Sequence, residues 1–159
     1  MITKYKYKAS LPFVLHDMAV NKIEYSEGNL HLEFEHGFRM AQEPYPQVDG
    51  NITIEDIDED FSCVLLLSKL GQYGEFRGEK LSIKDFLSKY KDVYFEIVDE
   101  MYGYNQVEYS GYLSLPENEY QIQTAVSLYF TGNIVYEVTE KEESIVAKIE
   151  ALNKEWLEM

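Results

Sequence analysis

The chain has 159 residues, of which 45% are hydrophobic and 14% aromatic, and its formal net charge is −15. This length suits one domain, spanning 1–159, that is large enough to bury its own core. Because such a charge repels phosphate groups and anionic lipid headgroups, nucleic acids and membrane surfaces are excluded as expected partners.

The first third of the chain has strand patterns. A short apolar run at 11–15 and a second segment at 20–25 lead to a turn with Gly28. Apolar and polar residues then alternate over 30–34, a period of two that predicts a hairpin. The following stretch at 43–50 contains two prolines and is the clearest loop of the sequence.

The middle of the chain indicates one buried strand and one short helix. The apolar run 61–67 predicts a central strand that is buried on both faces. Three glycines within 71–78 predict a loop or a tight hairpin. Ser82 and Asp85 then form a variant capping box, which predicts a short helix over 83–90.

The last third returns to strands and ends in a helix. Strands are expected at 93–98, 104–115, 120–130 and 134–138, with Gly111 marking a bulge. From Glu142 onwards, an apolar stripe recurs at helical spacing and predicts an amphipathic helix; it consists of Ile145, Ile149, Leu152 and Trp156.

Together these patterns predict a mainly β fold of the α+β type. We expect an antiparallel β-sandwich or partly closed β-barrel of about eight to ten strands, with a short middle helix and a C-terminal amphipathic helix. That helix could cover an open end of the sheet or dock on a second subunit, so the oligomeric state stays open. No segment has the length of a membrane span or the pattern of a signal peptide, and Cys63 is the lone cysteine, so we expect a cytoplasmic protein.

The acidic run at 55–60 is the densest carboxylate cluster. Strand alternation would place Asp56, Asp58 and Asp60 on one face, as a hard cation requires. The calcium-loop template fails, however, because position six is Phe61 and position twelve is Leu67. We therefore interpret the run as a solvated strand end, and we expect no metal and no cofactor.

Two further segments are candidates for polar chemistry. His16 follows an apolar strand beside Asp17, but adjacent strand residues point to opposite faces, so the pair is not expected to meet. The segment 102–106 combines rigid aromatic area with directional amides, which suits recognition. The candidate binding residues are His16, Asp99, Glu100, Tyr102, Tyr104, Asn105 and Gln106.

Parts of the chain resemble small acidic bacterial proteins of unknown function. The resemblance rests on 15–18 with 20–23, and on 102–106 followed by 110–113. It implies a bacterial cytosolic domain and assigns no site residue.

Two tracts, 40–68 and 92–140, contain no Lys or Arg, yet they hold seven and nine of the 29 acidic residues. This pattern favours a non-enzymatic interaction module that presents an acidic, Tyr-bearing surface to a basic protein, as immunity proteins and inhibitors of cationic enzymes do. The alternative is a β-barrel that binds a small ligand. A third hypothesis is an enzyme in which His16, Asp99, Glu100 and Tyr102 converge in a pocket.

Overall fold

A computed structural model describes residues 1–5, 10–67 and 78–159. Its larger sheet has ten strands, and every pairing in it is antiparallel. In chain order these are β1 (Ile2–Tyr5), β3 (Met18–Ser26), β4 (Asn29–Phe34), β7 (Gly50–Ile54), β8 (Cys63–Leu66), β9 (Glu79–Leu81), β10 (Tyr94–Gly103), β11 (Gln106–Ser114), β12 (Ile122–Tyr129) and β13 (Ile134–Val138). A smaller sheet pairs β2 (Phe13–Val14), β5 (Phe38–Met40) and β6 (Gln47–Val48).

The strands of the large sheet lie in the order β1-β13-β7-β4-β3-β10-β11-β12-β8-β9. The sheet is strongly curled. Four strands separate β1 from β10 in the strand order, yet Tyr5 of β1 and Tyr102 of β10 lie with their ring centroids 5.7 Å apart. It is not closed into a barrel, since β1 and β9 are its two edges. The prediction of a mainly β, antiparallel and partly closed fold with a C-terminal helix is therefore confirmed.

Helix α1 (Ile83–Lys89) fills the concave side of the sheet. Its buried residues Ile83 and Phe86 pack with inward side chains of β4, β8, β10, β11 and β12, and the gap left between them is about 10 Å³. That volume is near the lower limit for one water molecule, about 10–15 Å³. The predicted cap is confirmed, because Ser82 Oγ accepts a hydrogen bond from Asp85 N at 3.1 Å.

Aromatic rings of the small sheet close one end of the core. Phe13 and Phe38 lie with ring centroids 4.8 Å apart, and Phe13 lies 5.0 Å from the ring of Tyr136 on β13. The first contact is edge-to-face and the second is tilted, and aromatic pairs of this kind stabilise a core beyond the area that they bury. The small sheet is thus fixed to the large one through its side chains.

Helix α2 (Glu142–Glu158) has no buried residue. Lys148 Nζ donates to Gln47 O at 2.9 Å and to Glu140 Oε1 at 2.6 Å, which places the helix beside the small sheet. Of the predicted stripe, Trp156 is 72% exposed. No helix within the described residues is long and apolar enough to span a bilayer.

Two predictions in the middle of the chain have different outcomes. The run 61–67 forms β8, which is second from the edge and is buried on one face, so the prediction of a central, doubly buried strand is wrong. Its apolar character reflects Leu65, which points outward and is half-buried opposite Ala125. Of the predicted loop at 71–78, all but Gly78 lies outside the described residues.

Candidate functional site

A bulge in β10 decides which of its side chains enter the core. Ile97 pairs with Gly111 and Asp99 pairs with Ser110, so Val98 is an extra residue on the bulged strand. An extra residue reverses the alternation of inward and outward positions. As a result, the side chains of Glu100 and Tyr102 point inward, while those of Asp99 and Met101 are exposed on the outer face.

The carboxylate of Glu100 is held by two hydrogen bonds. Tyr102 Oη donates to Oε1 at 2.6 Å, and Leu15 N donates to Oε2 at 2.8 Å. Burial raises the pKa of Glu100, and these two hydrogen bonds and the nearby His16 oppose that change. The contact to Leu15 ties β10 to the segment that joins β2 and β3.

Three tyrosines converge next to Glu100. Tyr102 lies 6.4 Å from the ring of Tyr109, and the hydroxyls of Tyr109 and Tyr136 are buried next to Tyr102. Burial raises the pKa of all three phenols, so they stay protonated at neutral pH. A protonated, enclosed phenol cluster is suited to holding the core together.

His16 lies at the rim of this cluster and is exposed. Its Nδ1 contacts Val98 O, and its Nε2 lies 3.3 Å from Asp17 Oδ2. The expectation that His16 and Asp17 diverge is wrong, because the two residues lie in a turn where Asp17 has a φ of 63°. The pKa of His16 is raised by the hydrogen bond to Val98 and by the charge of Asp17.

The four residues of the enzyme hypothesis, His16, Asp99, Glu100 and Tyr102, therefore do not all converge in one pocket. Glu100 and Tyr102 are partly buried, hydrogen-bonded to each other at the margin of the core, and His16 lies nearby, whereas Asp99 points to the outer face. Strand alternation places the consecutive residues Asp99 and Glu100 on opposite sides of the sheet, and the bulge makes Glu100 the one that faces inward.

The residues of the candidate recognition segment 102–106 are likewise split between the core and the surface. Tyr104 and Asn105 form the exposed tip of the β10–β11 hairpin, where Tyr104 is 82% exposed and Asn105 has a φ of 54°. Gln106 begins β11 and pairs with Tyr129 of β12. Tyr102 faces the core, so the surface part of this candidate site is Tyr104, Asn105 and Gln106.

The acidic run at 55–60 forms a turn after β7. Asp58 Oδ1 accepts a hydrogen bond from Asp60 N at 3.1 Å, and Glu59 accepts one from Tyr25 Oη at 2.7 Å. Tyr25 and Lys84, which lies 3.1 Å from Glu59, lower the pKa of that carboxyl. Within the described ranges, no three His, Cys, Asp or Glu side chains are grouped to hold a metal ion.

The outer face of β10, β11 and β12 joins carboxylates to exposed aromatic rings. Met101, Glu108 and Ser127 lie side by side on the three strands, and Tyr129 follows Ser127 by two positions. Phe61 is 67% exposed and packs with its ring centroid 6.2 Å from that of Tyr129. We call this surface the acidic–aromatic face and define it by Asp58, Phe61, Met101, Glu108 and Tyr129.

The acidic turn is fixed to this surface through the backbone. Asp58 N donates to Tyr129 O at 2.8 Å, and Ser62 Oγ contacts both backbone groups of Tyr129. These bonds hold the carboxylate of Asp58 and the ring of Phe61 at the end of β12. The turn therefore contributes both charge and aromatic area to one continuous face.

Positive charge is segregated from the acidic–aromatic face within the large sheet. The lysines of the large sheet are Lys4 on the edge strand β1, Lys80 on the edge strand β9 and Lys22 on β3. Lys22 forms a salt bridge with Glu24 at 3.0 Å. The four neighbouring strands β10, β11, β12 and β8 contain neither Lys nor Arg. Among the described residues, the carboxylates of the two cation-free tracts that pair with lysine are Glu59 and Glu140.

Sequence reasoning missed most of this face. The apolar run 61–67 predicts a buried position for Phe61, and Tyr129 is one tyrosine among 14. The alternation of β12 carried a usable signal, because Ser127 and Tyr129 fall between the inward-facing residues Val126, Leu128 and Phe130. No protein-family model, curated protein or solved structure gives a significant match to this chain.

Proposed function

We propose that this protein is a non-enzymatic interaction module that binds a basic protein through the acidic–aromatic face. The observation that carries the proposal is the group of four adjacent strands without a cation, next to exposed Phe61, Met101 and Tyr129. The two lysine-free tracts, which are distant in sequence, contribute β8 and β10–β12 to that one surface.

The two components of the face have different physical roles. Its carboxylates accelerate the encounter with a cationic partner and disfavour acidic competitors. Its aromatic and thioether side chains supply the anchors that interfaces concentrate at their centres, and the aromatic rings bind guanidinium groups through cation–π contacts. A toxin-neutralising immunity protein, or another inhibitor of a cationic enzyme, uses this combination.

The interior of the fold favours this proposal over the small-ligand alternative. Phe86 and Ile83 of α1 occupy the concave side where a barrel would hold its ligand, and the gap beside them is about 10 Å³. The Glu100 cluster is internally hydrogen-bonded and contributes to the core. The outer surface is consequently the better candidate for recognition.

Capture of a partner from a lysate of the native cell tests the proposal. The bait is compared with a double variant, Asp58→Lys with Glu108→Lys, at low and high salt. The wild type is expected to retain a basic protein at low salt and to release it at high salt, because exposed charges are screened. The double variant is expected to lose at least about tenfold in apparent affinity, since like charges across an interface cost several kcal/mol.

The matched control is Glu142→Lys with Glu143→Lys, which changes the net charge equally on the exposed first turn of α2. This control is expected to capture the same partner as the wild type. The proposal fails if no basic protein is retained at low ionic strength. It also fails if both double variants lose binding equally, because net charge and not this face would then be responsible.

A further inference from the structure

Strand β3 has an open edge in the middle of the large sheet. It pairs with β4 from Val20 to Ser26, but among the residues that the structure describes its pairing on the other side is limited to β10, through Met18, Ala19 and Val20. β10 starts at Tyr94, and the chain before it turns away through 90–93 to the end of α1. Residues 21–26 therefore extend beyond their neighbouring strand.

The β3–β4 turn shows which backbone groups face this open edge. Glu27 and Gly28 form a two-residue turn with φ values of 52° and 78°, and Ser26 pairs with Asn29. In such a hairpin the closing pair is hydrogen-bonded, and bonded pairs then alternate along the ladder. Lys22 and Glu24 thus bond to β4, whereas the N–H and C=O groups of Ile23 and Tyr25 point away from it.

A groove of about 480 Å³ runs along this edge. Residues 21–26 form one wall, and Leu87, Tyr90 and Val93 lie on the other wall with Lys91 and Asp92. The charged side chains that line it are Lys22, Glu24, Lys91 and Asp92, which is two of each sign. The groove is therefore locally balanced, although the whole chain carries −15.

We infer that the open edge of β3 binds an uncharged, extended peptide segment of a partner protein, which continues the line of β10 along residues 21–26. An edge with unpaired N–H and C=O groups is a template for a further strand, and main-chain hydrogen bonds supply the affinity in this mode. The balanced charges of the groove match an uncharged segment. A second copy of this chain is disfavoured as the occupant, because two molecules of charge −15 repel each other.

This surface is distinct from the acidic–aromatic face, and the inference does not depend on the function proposed above. Side chains of the bound strand would alternate between Leu87 and Val93 on the inner side and the exposed Lys22 and Glu24 on the outer side. An occupant with alternating apolar and polar residues is expected for that reason.

Amide hydrogen exchange followed by NMR tests the free edge first. In the free protein, the amides of Ile23 and Tyr25 are expected to exchange at least about tenfold faster than those of Lys22 and Glu24, which bond to β4. Concentration-independent protection of all four amides would overturn the inference. Protection that disappears on dilution would also overturn it, because a second copy would then occupy the edge.

The probe is an acetylated and amidated hexapeptide of alternating valine and threonine. Its addition is expected to shift the amide signals of 21–26 and 87–93 and to slow the exchange of Ile23 and Tyr25 at least about tenfold. The control has the same sequence with alternate backbone nitrogens methylated, which keeps the side chains and removes main-chain donors. The inference is overturned if neither peptide shifts these signals at millimolar concentration, if the methylated peptide binds equally well, or if the shifts centre on β1 or β9.

Discussion

The carboxylate of Glu100 accepts hydrogen bonds from two uncharged neighbours, which use its hydrogen-bonding capacity without neutralising its charge. Tyr102 Oη and Leu15 N both donate to it, while Tyr109 and Tyr136 contribute phenol rings whose hydroxyls stay protonated. Desolvation is the largest influence on Glu100 and raises its pKa. A partly buried carboxylate whose pKa is raised makes the folded chain bind that proton more tightly than the unfolded chain does.

The sign of the resulting pH dependence is definite. A carboxyl whose pKa is higher in the folded state contributes its full stability below the ordinary value of 4.5, and that contribution is lost as the pH rises through the folded value. Glu100→Gln removes the ionisation. We expect the variant to gain stability relative to the wild type as the pH is raised from 4 to 8, measured by urea unfolding across that range.

The matched control for Glu100 is Glu108→Gln, a carboxyl on the outward face of β11. Because Glu108 lies outside the core, the free energy of unfolding of this variant relative to the wild type is expected to depend less on pH than that of Glu100→Gln. A constant difference between Glu100→Gln and the wild type from pH 4 to 8 would show that ionisation of Glu100 does not govern the stability of the core.

At the scale of single elements, the β10 bulge determines which side chains of that strand face the core. Gly111 lies opposite the bulge, and a Cβ built on it would stand 1.8 Å from the backbone oxygen of Glu96. The two strands approach so closely here because no side chain separates them. The bulge in turn directs Glu100 and Tyr102 inward and Asp99 outward.

Gly111→Ala is expected to destabilise the protein by about 1–3 kcal/mol, since backbone must move to admit the methyl group. Chemical denaturation measures this loss. Gly103→Ala is the matched control on the neighbouring strand, because a Cβ there would meet Gln106 at an ordinary 3.8 Å. A loss within about 0.5 kcal/mol is expected for the control, and equal losses in the two variants would contradict the role assigned to the bulge.

The sequence allowed the local features of these elements to be predicted. Ser82 has the chemistry of a helix cap, and Gly111 indicates the place of the bulge, although the extra residue lies on the partner strand β10 and not on β11 as predicted. The inward turn of Glu100 could not be predicted, because the extra residue Val98 fits a regular strand and the change in alternation depends on pairing with β11. The clustering of Phe61 with Tyr129 likewise depends on long-range pairing of β8 with β12.

At the scale of the whole molecule, charge separation distinguishes the outer face from the edges. Lys4 and Lys80 lie on the two edge strands of the large sheet, where a lysine discourages pairing with other chains. The strands β10, β11, β12 and β8 carry no such cation. The folded state therefore concentrates like charges that the unfolded chain keeps farther apart.

Added salt is expected to stabilise the folded chain because it screens this self-repulsion. Raising sodium chloride from 10 to 500 mM should increase the thermal midpoint by at least about 2 °C, which is roughly 0.5–1 kcal/mol for a chain of this length. Potassium chloride at the same ionic strength is the control and should act equally. A midpoint that is flat or falls with salt would contradict concentrated repulsion as a cost to folding.

The pairing of β1 with β13 has a consequence for biosynthesis. Ile2 lies opposite Glu137 and Tyr5 lies opposite Ile134, so the segments that meet at this side are made far apart in time. A ribosome that adds residues one by one releases β1 long before its partner exists. Closure of this side must therefore follow translation of β13, and the nascent chain would need protection from association until then.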